Sequence, residues 1–398
     1  MKNKLVSLDN TEVAFSGKSD NDLTRAYWLF KIISFNWIVK VSPFFVNTAI
    51  ALRLPFKGII RATAFRQFCG GETIDDCDKT IQQLSHYGIG TILDYSVEGK
   101  ETEKDFDAGL LQTLATIAKA KGNPNIPFSV FKPSGFVRFD LLEKLNSKKA
   151  IGESEKSEFE RFKSRVLKIC QAGFDSHVPI YIDAEESWIQ DVIDDLVKEL
   201  MMRFNRDQVV VYNTIQMYRT DRIEFLKKSF EHAAHNKYKL GIKIVRGAYM
   251  EKERYRAKQN GYDSPVHGNK NSTDKDFDQA LRFCIEHIEH ISICCGTHNE
   301  QSVLLLTGLM DENKLPNNHP QIWFSQLYGM SDHISYNLSK LGYNVSKYVP
   351  YGPLTSVLPY LIRRAQENTS VKGQTGRELW LIMKEKSRRK SIRNSMNR

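Results

Sequence analysis

Arg363 and Arg364 stand side by side in LPYLIRRAQEN, in a helical pattern that follows the breakers Pro350, Gly352 and Pro353. They lie fifteen and sixteen residues on from Tyr348, which ends a short apolar run. Two guanidinium forks on one helix suit a carboxylate, because each presents paired, coplanar donors. The plainer reading is a surface pair that complements the negative end of a helix dipole. Leu361, Ile362 and Ala365 flank the pair and Glu367 follows, a setting that favours oriented and partly buried cations. Other reactive side chains recur where an apolar run gives way to a loop. Lys132 stands between an apolar run and the Pro-Ser-Gly of VFKPSGF, Asp183 ends YID, and Thr297, His298 and Asn299 follow ISICCG. Gly247 in RGAY marks a turn or a close approach of backbone to something.

What must position them is a repeated unit. From Gly88 onward a short apolar run, a polar turn and a charged helical pattern recur eight times. The expected strands are 90–95, 127–131, 180–183, 209–212, 241–245, 292–295, 322–325 and 345–348. Strands alternating with crossover helices pair in parallel, and eight such units close into an α/β, (βα)8 TIM-type barrel. In that fold the chemistry sits at the carboxy-terminal ends of the strands, so residues distant in sequence converge on one mouth. The expected organisation is an amino-terminal helical segment over 1–87 packing on the barrel, a catalytic barrel over 88–372, and a basic carboxy-terminal helix or tail over 373–398.

A chain of 398 residues, 41% of them hydrophobic, can bury a large core, and its net charge of +10 permits contact with nucleic acid or an anionic membrane. Much of that excess is terminal: KEKSRRKSIRNSMNR, from Lys384, reads as a solvated, disordered tail. The six cysteines form no CxxC pair and no signal sequence precedes them, which reads as buried, reduced thiols. His232 with His235 and His287 with His290 have helical spacing but lie in charged segments; exposed helical histidines are expected, and no metal. Between Ala26 and Phe65 the chain is rich in aromatic and aliphatic residues, yet Lys31, Lys40, Arg53 and Lys57 interrupt it, and Pro43 and Pro55 divide it. Two amphipathic helices fit, lying on the barrel or on a membrane surface.

Seven segments, in order, resemble the proline dehydrogenases, flavin enzymes that begin proline catabolism, and come closest to the stand-alone mitochondrial type. They are GTILDYSVEG at Gly90, YIDAEESW at Tyr181, VYNTIQMY at Val211, IKIVRGAYMEKER at Ile242, THNEQSV at Thr297, FSQLYGMSDHIS at Phe324 and the stretch from Lys347 to Asn368. The resemblance implies hydride removal from L-proline to FAD, giving 1-pyrroline-5-carboxylate. It implies that Arg363, Arg364 and Lys132 hold the substrate carboxylate, that Asp183 steadies Lys132 or Arg363, and that Tyr348, Leu327 and Tyr360 wall the ring. Asp183 read alone is a helix cap, and Tyr360 a core tyrosine.

For the flavin the resemblance implies Gln216, Lys243, the loop Arg246, Gly247, Ala248 and Tyr249, and Thr297, His298 and Asn299. Lys243 stands where many bacterial members have arginine, which keeps the charge but loses a fork of donors; Met250 replaces a tryptophan of many bacterial members. No GxGxxG follows any run, so the barrel mouth holds the cofactor. In the family a tyrosine at the position of Tyr348 goes with proline and a smaller residue with hydroxyproline. The family also passes electrons to a membrane quinone and hands its product to a separate pyrroline-5-carboxylate dehydrogenase. The expected location is the cytoplasm, free or peripheral on the inner face of the membrane. Competing readings are a hydroxyproline dehydrogenase, a barrel scaffold whose basic termini bind anionic lipid or nucleic acid, and a barrel binding pyridoxal phosphate or a phosphorylated substrate through Lys132.

Overall fold

Each apolar run of the repeat becomes a strand because its side chains are buried on both faces, against the barrel interior and against the surrounding helices. In the computed structural model, which describes residues 6–35, 57–97, 99, 101–370 and 374–396, eight parallel strands close into one barrel in sequence order. They are β1 (Ile89–Tyr95), β2 (Phe128–Phe131), β3 (Ile180–Ile182), β4 (Val211–Gln216), β5 (Leu240–Val245), β6 (Ile291–Gly296), β7 (Ile322–Leu327) and β8 (Val345–Tyr351). Closure rests on β1 and β8, which pair over seven residues from Ile89 opposite Val345 to Tyr95 opposite Tyr351.

The (βα)8 barrel expected from the alternation is therefore the fold, with three strands at least two residues longer at their carboxy ends. β4 runs on to Gln216, β7 to Leu327, and β8 continues through Pro350 to Tyr351 instead of breaking at the proline. Pro350 supplies no N–H, but its carbonyl accepts from the Gly70 amide at 2.9 Å, so the strand end stays tied down. Helix Leu358–Ser370, which carries the arginine pair, starts after Pro353.

Inside the barrel Phe128, Val130, Tyr181, Tyr212, Cys294, Ile92 and Tyr348 pack together, and Phe128 stacks on Tyr181 at 4.4 Å between ring centroids. The larger core lies between strands and outer helices. A second apolar cluster sits outside the barrel beside the β7 and β8 loops. It joins Leu23, Ala26, Phe30 and Ile33 of the amino-terminal helix Asp20–Ile33, Leu354 to Leu361, and Leu381 and Ile382 of the last helix, Gln374–Met396.

That last helix corrects the reading of the terminus as a solvated tail. Its Leu381 and Ile382 are buried, and Arg389 donates to the carbonyls of Phe15 and Lys18, both at 2.9 Å, and to Asp20. Charge density hid an apolar stripe that only tertiary contact stabilises. Residues 36–56 of the stretch expected to hold two amphipathic helices lie outside the described residues. On helix Asp20–Ile33 Trp28 and Ile32 face outward while Phe30 is buried. Among the described residues no helix is long and apolar enough to cross a membrane. The six cysteines are buried and unpaired with one another.

Candidate active site

Alternation along each strand decides which side chains enter the barrel. On β5 it sends Lys243 inward, and on β8 it sends Tyr348 inward and Lys347 outward. Lys243, 5% exposed, donates to the carboxylate of Asp183 at the end of β3 and, at 2.7 Å, to the Tyr348 hydroxyl. Its ammonium also lies over the Tyr348 ring, 4.6 Å from the centroid, and over Tyr181 at 5.6 Å. A lysine so enclosed stays charged only where an anion and hydrogen-bond partners replace water. The tyrosine hydroxyl is 3.5 Å from the same Asp183 oxygen, so three strands meet in one polar knot. Asp183, expected to steady Lys132 or Arg363, is here joined to Lys243.

Two acids that sequence reading missed complete the mouth. Asp94, near the end of β1, is buried, and the Ser96 hydroxyl donates to it at 2.7 Å. Burial pushes its pKa up and Asp183 adds to that, while Lys132, Ser96 and Lys243 oppose the rise. Its signal in the sequence was an acid closing an apolar run, ILD, as Asp183 closes YID. Glu185, two residues past Asp183, accepts from the Ser134 amide at 2.8 Å and from the Ser134 hydroxyl. Burial lifts its pKa to about 7 against the pull of Ser134 and Lys132. Its carbonyl takes the Gln216 side-chain amide at 2.6 Å, so the loops after β2, β3 and β4 are joined. Lys132 sits between these acids, half-buried.

The loop after β5 is oriented by Arg246. Its guanidinium binds Asp274 at 2.7 Å, Thr297 at 2.6 Å and Ser302 at 2.9 Å, and stacks on Phe277. Gly247 has φ +127°, and a Cβ there would stand 2.5 Å from the Tyr218 ring. The close approach expected at this glycine is thus to Tyr218, within the protein itself. Ala248 is exposed, and Tyr249 precedes helix Met250–Asn260. Glu253 of that helix accepts from the Ser187 amide and hydroxyl at 2.7 and 2.6 Å, fastening the β5 loop to the β3 loop.

After β6, Asn299 caps helix Glu300–Glu312 by accepting from the Gln301 and Ser302 amides. His298 Nδ1 is hydrogen-bonded to Ser331 Oγ at 2.9 Å. Burial, with Lys347 and Arg364 nearby, lowers the His298 pKa to about 3, so its ring is neutral at physiological pH. Leu327 ends β7 opposite Tyr348 and touches both the barrel interior and the outer apolar cluster.

Arg364 is 8% exposed and lies over the Tyr360 ring, 5.2 Å from its centroid. Arg363 is half-buried and Tyr360 buried. One helical turn, from residue 360 to 364, sets the tyrosine under the arginine. The cationic half of the mouth, Lys132 after β2, Lys243 on β5, Arg246 just past it and Arg364 on the helix after β8, therefore comes from three strand units, and the acids Asp94, Asp183 and Glu185 are interleaved with it.

His232 Nδ1 meets the Tyr238 hydroxyl at 3.0 Å and His287 stacks on Phe230 at 4.3 Å. Among the described residues no three His, Cys, Asp or Glu side chains are grouped to hold a metal ion.

The family described as Proline dehydrogenase matches residues 77–377 of this chain. "Proline dehydrogenase 1, mitochondrial" of Dictyostelium discoideum is 33% identical, over 97% of this chain and 76% of the relative. The "Carbapenem antibiotics biosynthesis protein CarD" of Pectobacterium carotovorum is 34% identical, over 81% of this chain and 83% of its own. Among solved structures, proline utilization A from Bdellovibrio bacteriovorus superposes with a TM-score of 0.71 at 20% identity, over 90% of this chain. This chain spans only 38% of that longer protein, and the likeness bears on the fold alone.

Proposed function

The chain belongs to the proline dehydrogenase family, and from that premise we propose that it oxidises L-proline to 1-pyrroline-5-carboxylate with FAD as acceptor. The observation that carries the reading is the knot of Lys243, Asp183 and Tyr348 at the barrel mouth, with buried Arg364 on the helix after β8 near His298. A small amino acid brings a carboxylate and a nitrogen-bearing ring, and this mouth offers buried cations for the first and aromatic walls for the second.

In this reading Arg363, Arg364 and Lys132 bind the carboxylate, each charge-assisted contact contributing about 1.5–3 kcal/mol. Tyr348, Leu327 and Tyr360 enclose the ring and exclude water, which fixes the orientation of the reacting carbon. Asp183 and Tyr348 hold the Lys243 side chain in place.

The residues present fit a flavin. Cationic Lys243 and Arg246, the Gln216 amide, the Thr297 hydroxyl and neutral His298 come from the consecutive ends of β4, β5 and β6, and would line one edge of a planar group. FAD, when bound, supplies the two-electron sink for the hydride leaving the ring carbon next to nitrogen. Gln216, Arg246 and Asn299 already serve the protein's own loops, so their part is to shape the cradle. Ala248 and Tyr249 would border it.

The proposal extends to a membrane quinone as final acceptor and a separate dehydrogenase for the product. The protein would work in the cytoplasm, at the inner face of the membrane. Exposed Trp28, Ile32 and Phe35 beside Lys31 suit an interfacial surface. Purified protein is expected to be yellow and to bleach on anaerobic addition of L-proline, with quinone reduction rising on adding lipid vesicles. A colourless protein that takes up no FAD would end this reading.

A further inference from the structure

The last helix, Gln374–Met396, grips two loops of the mouth from outside the barrel. Arg377 donates to both oxygens of Glu300 at 2.8 and 3.1 Å, beside the Asn299 cap, and His333 meets Glu300 at 2.9 Å. One residue on, buried Glu378 accepts the backbone N–H of Ser331 at 2.6 Å. Ser331 is 1% exposed and adopts φ +49°, a left-handed conformation that a residue other than glycine holds only when its surroundings fix it. In that conformation its hydroxyl meets His298 Nδ1 at 2.9 Å. The chain of contacts therefore runs from Glu378 to the Ser331 backbone, through its hydroxyl, to the His298 imidazole in the cationic half of the mouth.

We propose that Glu378 is a positioning residue for cofactor binding: it holds Ser331 in its strained turn, and Ser331 in turn fixes the ring of His298 so that Nε2 is presented to the flavin. This rests on the reading of the mouth as a flavin site. Glu378 itself touches no bound group. A carboxylate in this place does what outer partners of ligand-binding histidines do elsewhere, setting ring orientation through the nitrogen that the ligand does not use.

The test uses full-length protein purified with its flavin, and reads FAD dissociation by fluorescence together with the visible absorption spectrum. Glu378→Ala, Ser331→Ala and His298→Ala are each expected to weaken FAD retention about fivefold, the factor for one lost hydrogen bond, and to shift the flavin band in the same direction. Glu378→Ala combined with His298→Ala is expected to be no weaker than His298→Ala alone, because the two act through one contact. Glu378→Gln keeps an acceptor oxygen and is expected to retain FAD like the wild type. Wild-type retention and spectrum in Glu378→Ala and Ser331→Ala, or losses that multiply in the double variant, would overturn the proposal. Where Glu378→Ala fails to fold, Ser331→Ala against His298→Ala makes the same comparison. Wild-type protein that binds no FAD would instead overturn the function on which this role depends.

Discussion

The Lys243 ammonium on β5 donates to the Tyr348 hydroxyl on β8 across the barrel interior, 2.7 Å away. Both groups also meet Asp183, so removing the lysine leaves an acid facing a tyrosine with no cation between them. Lys243→Met is expected to lower stability by about 3 kcal/mol, the scale for breaking a buried pair on one side. Adding Asp183→Asn is expected to recover part of it. Denaturant unfolding checks this, and equal midpoints for Lys243→Met and wild type would contradict the pairing.

Tyr348 is anchored at its hydroxyl, so the volume its ring fills is not yielded to a bulkier substrate. Tyr348→Ser is expected to shift the ratio of kcat/KM for hydroxyproline over L-proline upward by about tenfold, the scale for opening room for one small group. A ratio that stays put would show that the ring does not wall the substrate.

For Arg363→Met and Arg364→Met, KM for proline is expected to rise roughly 10- to 100-fold, from about 1.5–3 kcal/mol per charge-assisted bond. Arg364→Lys keeps charge without the fork and is expected to fall between. Steady-state kinetics that leave KM unchanged in both Met variants would remove the carboxylate clamp.

Glu300 supplies a pH dependence. Burial raises its pKa, but hydrogen bonds from His333 and Arg377 outweigh that and bring it to about 2, below its ordinary 4.5. A depressed acid contributes stability fully above its unfolded pKa and loses it as pH falls toward its folded value. The melting temperature is therefore expected to drop between about pH 5 and pH 2, with a shallower slope in Glu300→Gln. Parallel slopes in the two proteins would deny Glu300 this part.

Gly247→Ala sets a Cβ 2.5 Å from the Tyr218 ring at φ +127°. A cost of about 1–3 kcal/mol is expected, and Tyr218→Ala in the same chain is expected to relieve the clash while leaving the backbone strain. Thermal melts of the single and double variants separate the two parts.

The barrel was legible because parallel strands buried on both faces read as apolar runs, and each was set off by a charged helix. The end of β8 was not: Pro350 reads as a stop, and only the tertiary bond from Gly70 shows why the strand goes on. Lys132 and Asp183 could be picked out by their places at strand ends, and Arg364 by its pairing with Arg363 among apolar neighbours, although both arginines lie mid-helix. Asp94 and Glu185 escaped because a single acid after an apolar run looks like a helix cap, and its burial among cations depends on which neighbouring strands close around it. Asn299, which the resemblance sets against the flavin, is itself such a cap. The docking of the carboxy-terminal helix escaped for another reason: six of its seven lysines and arginines crowd into 384–393, and the partners that make it a docked helix lie more than three hundred residues earlier.

Because Arg389 clasps the turn at Phe15 and Lys18 while Leu381 and Ile382 share a core with Phe30, segments 11–33 and 374–396 are mutual lids. Trimming either one, as is common when shortening a protein for expression, would lay bare the other's greasy side and invite aggregation even with every strand of the barrel intact.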